Sequence, residues 1–167
     1  NSMNLQSTLT IEEPAVDLAI VAGYVAELEK YLTADDLYRT VWVNTPKGDQ
    51  SLQMTVGDLL ARLHRLQGQR QDLSAQQLTQ LDSMQKSTTD IIYSLRTRTH
   101  DRLQREMKAR LDSLKWYLDD GSDDLQRFRG SFPSEMRNRQ RIEEILKELG
   151  EDALPEYKER LKGVDHR

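Results

Sequence analysis

Residues 73–120 read LSAQQLTQLDSMQKSTTDIIYSLRTRTHDRLQREMKARLDSLKWYLDD, a stretch without one glycine or proline. Apolar residues recur at Leu78, Leu81, Met84, Ile91, Ile92, Leu95, Leu103, Met107, Leu111, Leu114 and Leu118. Most gaps are three, four or their sums, the spacing that lines up one face of an α-helix. Ser74 with Gln77 is the capping-box pattern that opens such a helix. At 1.5 Å per residue a continuous helix of about 45 residues would reach ~68 Å, far beyond a globular domain of this mass. Either the helix breaks or something covers its far end. Lys86-Ser87-Thr88-Thr89-Asp90 is the expected break, being poor in helix formers and rich in side chains that bond their own backbone. Leu81, Ile92, Leu103, Leu114 and Leu125 also fall at intervals of eleven, the period of straight or slightly right-handed helix pairing.

The segments on either side are helical as well. Pro14 suits the first turn of a helix, where its missing N–H has no partner to lose, and Glu12 and Glu13 sit near the positive end of the helix dipole. From Ala15 to Leu32 nearly every face is apolar, which places this helix in the middle of a bundle or against a second chain. Thr33 reads as the N-cap of a shorter amphipathic piece through Leu37, Tyr38, Val41 and Trp42, with an extended Val41-Trp42-Val43 as the other possibility. Asn44-Thr45-Pro46-Lys47-Gly48-Asp49 is the clearest loop. Thr55 with Asp58 resembles a capping box and opens a helix that presents Leu59, Leu60, Leu63 and Leu66 and ends near Gly68. Towards the C-terminus, a short helix Leu125 to Arg129, a turn at Gly130-Ser131-Phe132-Pro133, a helix carrying Met136, Ile142, Ile145, Leu146 and Leu149, and a last piece Glu156 to Leu161 are expected.

The predicted fold is therefore all-α: a helical bundle with one very long helix, continuous or kinked, and short C-terminal helices. Residues 4–120 form the bundle core and 121–167 pack back on the long helix, as one domain overall. Asn1 and Ser2, ahead of Met3, are set aside as non-native leftovers. The unmatched length of the long helix predicts an antiparallel homodimer, with Leu103, Met107, Leu111, Leu114 and Leu118 as its packing stripe.

Composition narrows function by exclusion. The 167 residues carry a net charge of -4 and no cysteine, which removes disulfides, thiolate metal sites and cysteine nucleophiles together. The longest apolar stretch, Ala15 to Ala26, contains Asp17 and is too short to cross a membrane, so a cytoplasmic protein without membrane contact is expected. Charge is uneven. Residues 1–61 hold nine acids against three bases, whereas residues 62–147 are net basic, so the two stretches can attract each other within a fold or between copies.

No segment carries a recognisable catalytic or metal-binding pattern. His64, His100 and His166 lack a His, Asp or Glu partner at helical spacing. Asp119, Asp120, Asp123 and Asp124 are suited to capping helix ends, and loops counted from Asp119, Asp120 or Asp124 do not fit a calcium site. Thr45-Pro46-Lys47-Gly48-Asp49 is a turn and not a phosphate-binding loop, and no serine stands at a nucleophile elbow. No cofactor is expected.

Met54-Thr55-Val56-Gly57-Asp58-Leu59-Leu60-Ala61-Arg62-Leu63 resembles the second-helix signature of DinB-like four-helix bundles. Arg62 stands where a metal-binding histidine of that family usually does. The resemblance covers about ten residues and implies a bundle topology without the metal.

Arginine outnumbers lysine sixteen to eight and clusters at Arg96, Arg98, Arg102, Arg105 and Arg110, then at Arg127, Arg129, Arg137, Arg139 and Arg141. Guanidinium forks suit phosphate and carboxylate, so Arg98, Arg102, Arg105, Arg137 and Arg141 are the candidates for an anion or nucleic-acid surface. Against this, Asp101, Glu106 and Glu135 each precede an arginine by four residues, as in salt-bridged solvated helices. Tyr24, Tyr31 and Tyr38 recur every seven residues and read as core; an exposed aromatic stripe would instead mark a partner surface. The expected function is a structural or protein–protein interaction module assembling through apolar helix faces, with nucleic-acid or anionic-partner binding as the alternative.

Overall fold

The computed structural model describes residues 13–120, 125–150, 153 and 155–165, without the side chains of 115–135 and 164–165. Its elements are α1 (Pro14–Thr33), a hairpin of β1 (Arg39–Thr45) and β2 (Gly48–Met54), α2 (Val56–Gly68), a 3-10 turn Arg70–Asp72, α3 (Ala75–Ser94), α4 (Arg96–Asp120), α5 (Leu125–Leu149) and α6 (Pro155–Asp165). The protein is thus mainly helical, as expected, but it carries a two-stranded sheet that an all-α reading lacks. No described helix is long and apolar enough to cross a membrane. By contacts the chain divides into two compact units, Ile11–Arg102 and a second that begins at Leu103, so that the boundary falls inside α4.

In the first unit α1 is central and touches β1, α2 and α3. Val16, Leu18, Ile20, Val21, Tyr24, Leu28, Tyr31 and Leu32 are all buried, which explains why this helix is apolar on nearly every face. Pro14 occupies its first turn. Thr33 does not open a new helix: it is the last residue of α1, and its hydroxyl donates back to the carbonyls of Glu29 and Lys30.

The chain then turns into β1, where Val41, Val43 and Thr45 are buried and Thr40, Trp42 and Asn44 are exposed. This period of two competes with the three-and-four spacing of Leu37, Tyr38, Val41 and Trp42, and the β-branched residues decide it because they pack well on a pleated surface. Pro46 and Lys47 form the turn, and Gly48 follows with φ 109°, a conformation that favours glycine. Thr45 secures the turn: its hydroxyl donates to the Gly48 carbonyl and accepts from the Lys47 N–H. The inner face of the hairpin sits so close to α1 that a Cβ built on Gly23 would lie 2.8 Å from Cγ2 of Val43.

Two of the helix caps read from sequence, Thr55 and Ser74, are present. Thr55 accepts from the N–H of Asp58, and Ser74 and Gln77 make both bonds of a capping box. The long helix does break, but at Leu95 (φ -115°, ψ 41°) and not at 86–90, so that α3 and α4 span 20 and 25 residues. The 86–90 segment stays helical because its polar side chains close onto the helix. Thr88 donates to the Met84 carbonyl four residues back, and Lys86 pairs with Asp90 four residues on.

In the second unit Leu103, Met107, Leu111 and Leu114 of α4 are buried, as are Ile142, Ile145 and Leu149 of α5 and Tyr157 and Leu161 of α6. Four of the five residues of the expected packing stripe are thus covered within a single chain; the side chain of Leu118 lies outside the described residues. A reciprocal pair of bonds ties α4 to α5: Arg110 Nη1 donates to Asn138 Oδ1, and Asn138 Nδ2 donates to the Arg110 carbonyl. The expected short helix, turn and helix over 125–149 are instead one helix of 25 residues. Pro133 is carried inside it, and a proline there can supply no N–H to the carbonyl of Arg129, four residues back. Asp123 and Asp124, and the side chains of Asp119 and Asp120, lie outside the described residues.

Candidate binding site

The five candidate arginines have different surroundings. Arg98 and Arg105 are exposed and lie seven residues apart on α4, while Arg137 and Arg141 are half-buried on α5. The exposed stripe that holds Arg98, Arg105 and Lys108 also holds Asp101 and Asp112, so its charges alternate in sign. Lys108 pairs with Asp112, and Arg160 of α6 pairs with that same carboxylate. Hydrogen bonding to Arg160 first, then to Lys108, holds the Asp112 carboxyl below its ordinary pKa. Other arginines are tied to α-helical neighbours: Arg110 to the buried Glu106 at 2.7 Å, and Arg139 to Glu143 at 3.4 Å.

Arg102 is a correction to the sequence reading. It is 3% exposed and belongs to no surface. Its guanidinium receives the C-terminal end of α1: Nη1 donates to the carbonyls of Tyr31 and Asp36, and Nη2 to that of Ala34. It also lies 4.5 Å from the centroid of the Tyr31 ring. A cation at a helix C-terminus, over an aromatic face, is favoured by the helix dipole and by the ring quadrupole together. Neither signal is local in sequence, because Arg102 and Tyr31 stand 71 residues apart.

Arg62, at the position of the histidine in the DinB-like signature, is likewise internal. Its Nη1 lies 2.7 Å from Asp17 and its Nε 3.0 Å from Asp58, and all three side chains are buried. Tyr24 donates to Asp58 at 2.7 Å, and Arg65 reaches Asp17 at 3.0 Å. Two carboxylates and two guanidinium groups thus neutralise one another between α1 and α2, and Arg62 fills the position with a charged fork. Among the described residues no cluster of three or more His, Asp or Glu is arranged to hold a metal ion.

Among the described residues three large apolar side chains remain turned to solvent: Trp42 on the hairpin, Tyr38 just ahead of it and Tyr93 on α3. Trp42 is 76% exposed. Thr40 and Trp42 share the outward face of β1, and Tyr38, just ahead of the strand, is exposed as well. Opposite them on β2 stand Gln53, paired with Thr40, and Ser51, paired with Trp42. Gln53 donates to the Thr40 hydroxyl, so the face around the indole is polar. The Tyr38 hydroxyl and the Trp42 indole N–H make no hydrogen bond among the described residues. Tyr24 and Tyr31 are core as expected, and Tyr38, the third of that series, is not.

At the root of β1 a cavity of ≈ 390 Å³ is lined by Tyr31, Ala34, Asp36, Tyr38, Arg39 and Thr40. Arg39 is neutralised by Glu27 at 3.0 Å. The Asp36 carboxylate makes no ion pair among the described residues. Thr40 belongs both to this cavity and to the outward face of β1, so the two adjoin. Comparison with protein-family models, curated proteins and solved structures finds no match for this chain.

Proposed function

We propose that this chain is a recognition module that binds a partner through the outward face of its hairpin, without chemistry of its own. The observation that carries this is the exposure of Trp42 on a polar sheet face, with exposed Tyr38 just ahead of the same strand. Tryptophan and tyrosine supply large contact area at little cost in conformational entropy, and they dominate the anchor residues of protein interfaces. A two-stranded sheet also offers open edges to an extended chain. Among the described residues no backbone bond from another element reaches either strand.

This keeps the interaction class expected from sequence but moves the surface. Assembly through the α4 stripe loses its driving force where Leu103, Met107, Leu111 and Leu114 are already covered in the single chain. Selection of displayed random peptides on the wild-type protein, followed by binding to Trp42→Ser, tests the proposal: dependence on Trp42 supports it, and indifference to Trp42 overturns it.

A second reading, binding of an anionic partner, rests on the exposure of Arg98, Arg105 and Lys108 along α4. Interleaved Asp101 and Asp112 weaken it. Such binding would fall steeply with salt, and retention of a polyanion that is unchanged between low and high salt would reject it.

A further inference from the structure

The C-terminal end of α1 already holds one guanidinium, that of Arg102, on the carbonyls of Tyr31, Ala34 and Asp36. These same three residues line the cavity at the root of β1. We infer that the cavity takes a second cation, the arginine or lysine side chain of a basic extended peptide that lies across the hairpin face. The inference rests on the hairpin reading above and assigns its ligand.

Four features favour a cation here. The cavity adjoins the C-terminal end of α1, whose carbonyls already draw one guanidinium. Asp36 is among its lining residues, and no described cation pairs the Asp36 carboxylate. Tyr38 also lines it, and an aromatic ring attracts a cation. Its own cation, Arg39, is neutralised by Glu27. An anion would find neither arginine at hand, because Arg102 is buried and its Nη donors are engaged by carbonyls. At ≈ 390 Å³ the cavity falls in the lower part of the range of about 300–1,000 Å³ found for ligand clefts, enough for one long basic side chain.

The test is an amide NMR titration of the whole chain with Nα-acetyl-arginine amide, and with Nα-acetyl-norleucine amide and Nα-acetyl-glutamate as controls. Saturable shifts at Ala34, Asp36, Tyr38 and Thr40 with the arginine amide alone are expected. Asp36→Asn should weaken that binding about tenfold through loss of a charge-assisted contact, and Tyr38→Leu serves as a second variant with the carboxylate intact. No shift at the solubility limit of the probe, equal response to the neutral or anionic control, or equal affinity in Asp36→Asn would overturn the inference. Selected peptides separate it from the hairpin reading. Peptides that lose binding with Trp42→Ser but keep it with Asp36→Asn would leave the hairpin as the recognition face and remove the cation cavity. Arginine amide binding that depends on Asp36, while every peptide ignores Trp42, would support the cavity and remove the hairpin.

Discussion

Arg102 lies 4.5 Å from the centre of the Tyr31 ring and binds the Tyr31 carbonyl, so one guanidinium holds both the side chain and the backbone at the end of α1. Removing it leaves three carbonyls without this donor and an aromatic face without its cation. Arg102→Met keeps much of the apolar stem and is expected to destabilise the protein by about 2–4 kcal/mol, measured by urea unfolding. Arg102→Lys should recover only part of this, because an ammonium lacks the planar fork. A stability change below about 0.5 kcal/mol in Arg102→Met would refute the assignment.

The buried network between α1 and α2 predicts a sharper loss. Arg62→Met leaves Asp17 and Asp58 without their shared guanidinium, and breaking a buried pair on one side costs about 3–5 kcal/mol. Replacing Asp17, Asp58 and Arg62 together by Leu, Leu and Met should be far milder than the sum of the single changes. Additive losses in a mutant cycle would contradict a network.

Close packing of the hairpin on α1 makes Gly23 sensitive. Alanine normally favours a helix over glycine by about 1 kcal/mol, yet here its methyl meets Val43, a short, stiff side chain. Gly23→Ala is therefore expected to lower stability by about 1–3 kcal/mol, and Val43→Ala in the same chain should relieve part of that. Stabilisation by Gly23→Ala alone, read from thermal unfolding, would show that the contact is not tight.

Acid should weaken the link between α4 and α6. The folded Asp112 carboxyl is held below its ordinary value by Arg160 and Lys108, so its contribution is present above the unfolded value of about 3.9 and is lost as pH falls through the lower folded value. Arg160→Gln should raise the Asp112 titration, followed by carboxyl-carbon NMR, and high salt should shrink the difference. An Asp112 titration identical in the two proteins would remove this pair from the account.

How much of this was legible in the sequence depends on whether the signal was local. Pro14, the Thr55 cap and the Ser74–Gln77 box act within one turn, and each stands where the pattern placed it. The apolar stripe from Leu103 to Leu114 followed from period alone, but what buries it did not. β2 was illegible for the same reason: Gly48–Met54 has only Leu52 and Met54 as apolar residues, and it is a strand because β1 pairs with it. The break at Leu95 lies one residue from a run of helix formers and polar residues with no glycine or proline to mark it. In the candidate site, Trp42 was visible as a residue but not as an exposed one, since its orientation follows from the burial of Val41 and Val43 against α1. Arg102 shows the converse, a charged residue in an arginine-rich run whose partners are carbonyls far away in the chain.

The hairpin face is tested most directly by measuring, side by side, the affinity of one selected peptide for the wild-type protein and for Trp42→Ser. The exposed indole contributes little to folding, so unfolding should change by no more than about 0.5 kcal/mol. Affinity is expected to fall about 30-fold or more, the loss of a central interface anchor. Equal affinity in the two proteins, with both fully folded, would contradict recognition through the hairpin.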